Sequence, residues 1–299
     1  MDHHFVPQFY LRSFRDPTVP EGQEPWVWVA DLKEKTVERR APKNVGKKAN
    51  YYAFPEFDEQ SPETIEQLLS RIESAAAPIA RKLLQAEFEL NGQEWADLLF
   101  FAAFFVGRAP FFRDQMEQMS ANISKFLLQS AASIPEYFEE TLRKARPGEQ
   151  FTPQEVEALR RWILDDSKYT IRESPIFSLG IGVELAFGTI YPLFREMNWG
   201  FLRADGGDHF ITCDSPVSWF DPTPRPPIYG GHGLAMRNVE VTFPIAPELC
   251  LLGTWEGPTG LLDAPPAAIE EFNRRRAAFA DRYIFADTEA GARWAIETR

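Results

Sequence analysis

Cysteine is scarce, with only Cys213 and Cys250 among 299 residues. Two thiols do not build a disulfide framework, and without histidine or carboxylate help they do not build a zinc site; two reduced, buried thiols in a cytoplasmic chain are expected. Long apolar runs are also missing. Leu98–Gly107, ten uncharged and mostly apolar residues, falls well short of the roughly 20 that a membrane helix needs and reads as a buried core helix. The start, Met1-Asp2-His3-His4, has no basic segment and no apolar stretch before Arg12 and Arg15, so no secretion leader is expected. Several familiar chemistries lack their signatures: there is no G-x-S-x-G elbow, no Walker loop, no G-x-G-x-x-G and no H-E-x-x-H. Bases are outnumbered, 32 against 44 acids, and the net charge of -12 repels polyanions from the molecule as a whole.

Aromatic residues, by contrast, are plentiful. Eight Trp, eight Tyr and 25 Phe, within a hydrophobic fraction of 44%, exclude a disordered, collagenous or low-complexity chain. The length suits one large domain or two modest ones. The 24 Pro and 18 Gly imply many turns between ordinary elements. The remaining charge is unevenly placed: Lys33, Lys35, Arg39, Arg40, Lys43, Lys47 and Lys48 face only Glu34 and Glu38 over residues 33–48, a local +5 against -17 elsewhere. Any nucleic-acid contact is expected there.

Val6-Pro7-Gln8-Phe9-Tyr10-Leu11 predicts a short N-terminal helix, with the two histidines just before it. Trp26–Val29 and Thr36–Arg39 predict a hairpin. Between Ser61 and Met197 the period becomes helical. Ser61-Pro62 opens the first helix, and capping boxes are read at Asn91/Glu94, Ser133/Glu136 and Thr152/Glu155. Pro110 is expected to end or kink the apolar helix, and Pro175 begins another helix reaching about Met197. After Trp199, a second hairpin is expected from Trp199–Ala204 and His209–Thr212 around Asp205-Gly206-Gly207-Asp208. Further strands are expected at Val239–Phe243, Cys250–Leu252 and Tyr283–Phe285, with a helix over Pro265–Ala280. With no repeat and no linker, the reading is a single α+β domain: residues 1–60 an N-terminal helix and hairpin, 61–197 a body of about five or six helices, and 198–299 a β-rich part with a late helix. A mainly antiparallel sheet is expected from the two terminal segments.

His3-His4-Phe5-Val6-Pro7-Gln8-Phe9-Tyr10-Leu11-Arg12-Ser13-Phe14 resembles the opening of a mostly bacterial domain-of-unknown-function family that begins H-H-[FY]-V-P-x-x-Y-L-x-x-F. Arg108-Ala109-Pro110, Ile211-Thr212-Cys213-Asp214-Ser215-Pro216-Val217, Phe243-Pro244-Ile245-Ala246-Pro247 and Asn273 resemble its later landmarks in order. Cys213 and Ser215 depart from the Ser and Asn usual in that family, while Asp214 is kept. The resemblance implies a single domain and no particular activity.

The candidate site residues are polar groups at element ends. His4 is the preferred metal ligand or general base of the two histidines, because Pro7 and Tyr10 continue from it at helical spacing. Asp214, at a strand end, is a second ligand or base; its structural alternative is an Asx-turn in which the carboxylate accepts the backbone N–H two residues on. Strict alternation sends His209 and Asp214 to opposite faces. Arg108, ending the apolar helix, clamps an anion, pairs with Asp214 or caps the helix. His3, Gln8, Asn273, Lys47 and Lys48 are candidate substrate-binding residues. Gly180, Glu184 and Gly188 form a helical stripe that implies close packing by a neighbouring helix or a ligand. Gly230-Gly231-His232-Gly233 is a loop or lid. Two functions compete. One is a hydrolytic enzyme acting on a phosphate-bearing substrate, with metal-assisted phosphodiester cleavage by His4, Asp214 and Arg108 as its concrete form and a divalent metal as the cofactor it implies. The other is a non-catalytic module binding nucleic acid or protein through residues 33–48, its motif residues holding the ends of the fold together. No membrane partner is expected.

Overall fold

The N-terminal motif folds as its spacing predicts. In the computed structural model, which describes residues 2–49, 62–172, 175–223 and 233–299, β1 (Asp2–His4) is followed by α1 (Gln8–Leu11) and a 3-10 turn to Phe14, with Tyr10, Leu11 and Phe14 buried. The hairpin of β2 (Val27–Asp31) and β3 (Thr36–Arg40) forms as expected. β4 (Lys47–Ala49) returns antiparallel to β1.

Helices follow: α2 (Pro62–Leu84), α3 (Gly92–Arg108), α4 (Pro110–Ser133), α5 (Pro135–Ala145), α6 (Pro153–Leu164), α7 (Pro175–Leu185), a π turn at Ala186–Ile190 and α8 (Tyr191–Glu196). The capping boxes of α3 and α6 are complete: Asn91 and Thr152 each bind an N3 backbone N–H and receive the Glu side chain in return. The third does not form. Pro135 forces the residue before it out of helical geometry, so Ile134 becomes the cap of α5, and Ser133 donates instead to the carbonyl of Ser130 at the end of α4. Pro110 ends α3 and opens α4, with Ala109 extended between them.

The last third contains β5 (Asn198–Ala204), β6 (Thr212–Cys213), β7 (Ser218–Phe220), β8 (Glu240–Ala246), β9 (Leu249–Thr254), β10 (Gly260–Ala264), α9 (Pro266–Phe279), β11 (Tyr283–Ala286) and α10 (Glu289–Thr298). One five-stranded sheet has the order β10-β5-β9-β8-β7, antiparallel except for the parallel pair β10–β5. A four-stranded antiparallel sheet, β3-β2-β11-β6, joins N- and C-terminal strands. The expected hairpin of 199–204 with 209–212 is corrected here. β5 already has β9 and β10 on its two edges, so no ladder is open to the returning chain. Residues 209–213 cross to the other sheet, where β6 pairs with β11.

By Cα proximity the chain divides into two compact units, Met1–Arg113 with Leu179–Arg299, and Asp114–Ser178. The first holds the main core, rich in phenylalanine: Phe14, Phe105, Phe194, Phe201, Phe243 and Phe285 are all essentially inaccessible. Burying each such ring stabilises the fold by about 1.5–3 kcal/mol. The second has a small core of Ala132, Phe138, Val156 and Ile163. The helical body expected over 61–197 matches six helical runs when α7, the π turn and α8 are taken as one; α1, α9 and α10 raise the total above that expectation.

The glycine stripe also needs correction. A Cβ on Gly180 meets nothing within 4 Å, and Gly188 faces only the Glu184 carboxylate at 3.4 Å; Glu184 itself is exposed. The close approach is made by Gly182 against Gly107, where a Cβ on either would sit inside the other's backbone carbonyl. No single helix among the described residues is long and apolar enough to cross a membrane.

Candidate active site

The motif residues converge on the segment 211–217. The Tyr10 hydroxyl donates to the carbonyl of Pro244 at 2.6 Å and shares a hydrogen bond of 2.6 Å with Thr212. Asn273 accepts the N–H of Ile211 at 2.9 Å and donates to the carbonyl of His209 at 2.8 Å. Arg276, 1% exposed, donates to the carbonyls of Pro216 and Thr242 and to the Thr242 hydroxyl. Asp214 accepts the backbone N–H groups of Asp281, Arg282 and Tyr283 at 2.9, 2.7 and 2.8 Å. The Asx-turn read from the sequence is not made, because the residue two on is Pro216, which has no N–H. Burial pushes the Asp214 carboxyl up to about 6 against the pull of those three N–H groups.

These contacts tie the helix α1, the β6 segment and the α9–β11 corner into one frame. Most of the bonds its members make are to backbone groups, with Thr212 and Thr242 as the side-chain partners. Arg276 was not singled out from the sequence, although a signal exists: it falls on the same helical face as Ile269, Asn273 and Ala280, all buried.

The other expected site residues are spread out. Arg108, 1% exposed, donates to Glu73 of α2 at 3.0 Å, and its guanidinium lies 4.3 Å from the centroid of Phe105. No bond between Arg108 and Asp214 is present among the described residues, since Asp214 is occupied by the β11 entry. His4 is half-buried in β1, opposite Lys47 in the β1–β4 ladder, and the backbones of His3 and Lys48 are paired beside them. Gln8 opens α1. Within the basic segment, Arg39 pairs with Asp16 at 3.2 Å, Lys43 with Glu24 at 3.0 Å, and Arg40 with Glu38. The rival expectation, that these bases pair with the acidic cluster Glu56, Asp58, Glu59 and Glu63, falls on residues 56–59 outside the described residues and on Glu63 in the first turn of α2, and the loop from Gly230 to His232 also lies outside the described residues. Among the described residues, no group of three His, Cys, Asp or Glu side chains is arranged to hold a metal ion. Cys213 and Cys250 are free and buried, and burial pushes both thiols up to about 12.

Next to the Asn273 clamp lies a pocket of about 560 Å³, walled by the 207–211 segment, α9 and the first turn of α10. Asp208, His209, Glu270, Asp287, Thr288 and Trp294 line it. His209 Nδ1 is 2.6 Å from Asp287 Oδ2; the imidazole is 29% exposed and the carboxylate 4%. Burial raises the Asp287 carboxyl above its ordinary value, opposed by the attraction of His209. The Asn273 clamp on the His209 carbonyl fixes the backbone that carries the ring. At the start of α10, directly after Asp287, the Thr288 hydroxyl accepts the N–H of Gly291, leaving the N–H of the pocket-lining Ala290 outside the ladder of α10. The sequence offers no spacing that links His209 to Asp287; only the crossing of 209–213 to β11 brings them together.

This is the architecture of a mixed α+β protein with a histidine–carboxylate pair in a wall of one pocket. Residues 2–290 match the family described as a protein of unknown function, DUF4238, and the chain belongs to that family. No curated protein and no solved structure matches it.

Proposed function

We propose that this chain is a hydrolytic enzyme whose general base is His209, oriented by Asp287. The observation that carries the reading is the short Nδ1–Oδ2 contact at a pocket wall. With Nδ1–H donated to the carboxylate, Nε2 is the nitrogen left to accept a proton. It would take that proton from a water molecule as the water attacks an acyl carbon, and the Asp287 carboxylate stabilises the imidazolium formed. Negative charge developing on the acyl oxygen would be accommodated by the Ala290 N–H at the start of α10. The proton then passes from His209 to the leaving oxygen or nitrogen as its bond to the acyl carbon breaks, which releases the carboxylic acid and the alcohol or amine and returns the imidazole to its neutral form. The phosphate-bearing substrate expected from the sequence has less support, because among the described residues no Lys or Arg lines this pocket. The ion pairs within residues 33–48 likewise weaken the nucleic-acid reading. A cytoplasmic location rests on the two free buried thiols.

The reading is tested by assaying the full chain on chromogenic short-chain esters, amides and phosphodiesters. His209→Gln should lower turnover by about 10²-fold or more with little change in unfolding midpoint, and Asp287→Asn should do so less completely. Turnover that survives His209→Gln, or a parent chain inert on every class, would overturn it.

A further inference from the structure

The ionisable groups around this pocket carry one predominant sign. Asp208, Glu270 and Asp287 line it, with His209, among the described residues, as its one basic side chain. Asp287 is matched by His209, and Glu270 by Arg274 at 2.8 Å on the exposed side of α9. Glu248 adds a further carboxylate close enough to raise Asp287. Asp208 makes no ion pair among the described residues. The wall also includes the half-buried ring of Trp294, whose π face attracts a cation, and most strongly a weakly hydrated one. A cavity of this volume, with an aromatic wall and an unmatched carboxylate at Asp208, discriminates by charge before it discriminates by shape.

From this we infer that the pocket takes a cationic substrate: an ester or amide bearing an alkylammonium or quaternary ammonium group, held by Trp294 and Asp208, with its acyl group toward His209. The inference deepens the hydrolytic reading and rests on it for the acyl half only. The ammonium half stands on the lining alone. Charge on the substrate also explains how a wide, open cavity fixes one end of a small molecule while the other reaches the base, since an ion held between a carboxylate and a ring is immobilised without a closed wall.

The test uses three probes of nearly the same shape with the intact chain: choline, its neutral isostere 3,3-dimethylbutan-1-ol, and the anion 3,3-dimethylbutanoate, titrated by calorimetry at low salt. Choline should bind at least ten-fold more tightly than the neutral alcohol, and the anion should bind least. Trp294→Leu and Asp208→Asn should each remove most of that preference, with the unfolding midpoint reported alongside. Equal binding of choline and the alcohol, or tighter binding of the anion, overturns the inference. The same preference kept in both variants also overturns it. His209→Gln separates the two readings. If it retains the choline preference while the parent hydrolyses nothing, the base assignment fails and the cation site stands. If it abolishes ester turnover in a chain that shows no charge preference, the base assignment stands and the cation site fails.

Discussion

Asp214 joins a buried carboxylate to three backbone donors, and the balance between them has a pH signature. Its carboxyl is pushed up to about 6 by burial, above the usual aspartate value near 3.9. The folded state therefore holds the proton more tightly than the unfolded chain does. Stability from this group is fully present below about pH 4 and is lost as pH rises through about 6. Asp16 and Asp31 act in the opposite sense, because hydrogen bonds from Thr18 and Arg39, and from Arg282 and the 33–34 backbone, hold them low despite burial. A comparison of the parent with Asp214→Asn cancels them. In urea titrations from pH 4 to 7, the stability difference between the two should shrink by up to about 3 kcal/mol as pH rises; parallel curves would refute the assignment. Asn273 carries a simpler expectation. Its replacement by Ala leaves the buried Ile211 N–H and His209 carbonyl unpaired and should lower stability by about 1–3 kcal/mol, with any activity falling as His209 loses its fixed backbone. A midpoint unchanged from the parent would show that the clamp is dispensable.

At the scale of elements, the glycines of α3 and α7 separate into two kinds that the sequence does not distinguish. Gly182→Ala or Gly107→Ala forces the two helix backbones apart and should cost about 1–3 kcal/mol or more. Gly180→Ala, facing open space, should instead stabilise α7 by up to about 1 kcal/mol through helix propensity. Thermal melts of the three variants decide it, and a destabilised Gly180→Ala would mean that the stripe spaced by four is the packing face after all. Helix starts and the first hairpin were legible because their causes are local: a capping side chain, a proline, alternation over five residues. The second hairpin was misread because a Gly-Gly turn is compatible with a hairpin but does not require one. What decided the outcome was which edges of β5 were already taken, a fact about β9 and β10 some 45 to 60 residues away. The His209–Asp287 pair was hidden for the same reason. Asp214 was visible as a motif residue, but its partners were not, since backbone N–H groups leave no trace in residue identity.

Across the whole molecule, the uneven distribution of core predicts uneven stability. Residues 114–178 rest on four fully buried apolar side chains and a rim of partly buried ones, whereas β8 and β9 lie in the main core. Native-state hydrogen exchange should find the amides of α5 and α6 opening at a lower free energy than those of β8 and β9; identical values would show one cooperative unit. The four-stranded sheet carries a different consequence. β11 lies between β2 and β6 and bonds to both, and it is the last strand of the described chain to be made. During synthesis the β2–β3 hairpin leaves the ribosome early, with the edge that β11 will occupy still bare. It must wait in that state while some 250 further residues are translated. The nascent chain therefore carries a strand edge open to aggregation until β11 emerges, and a chaperone that shields β2 would act throughout the translation of the residues between the two strands.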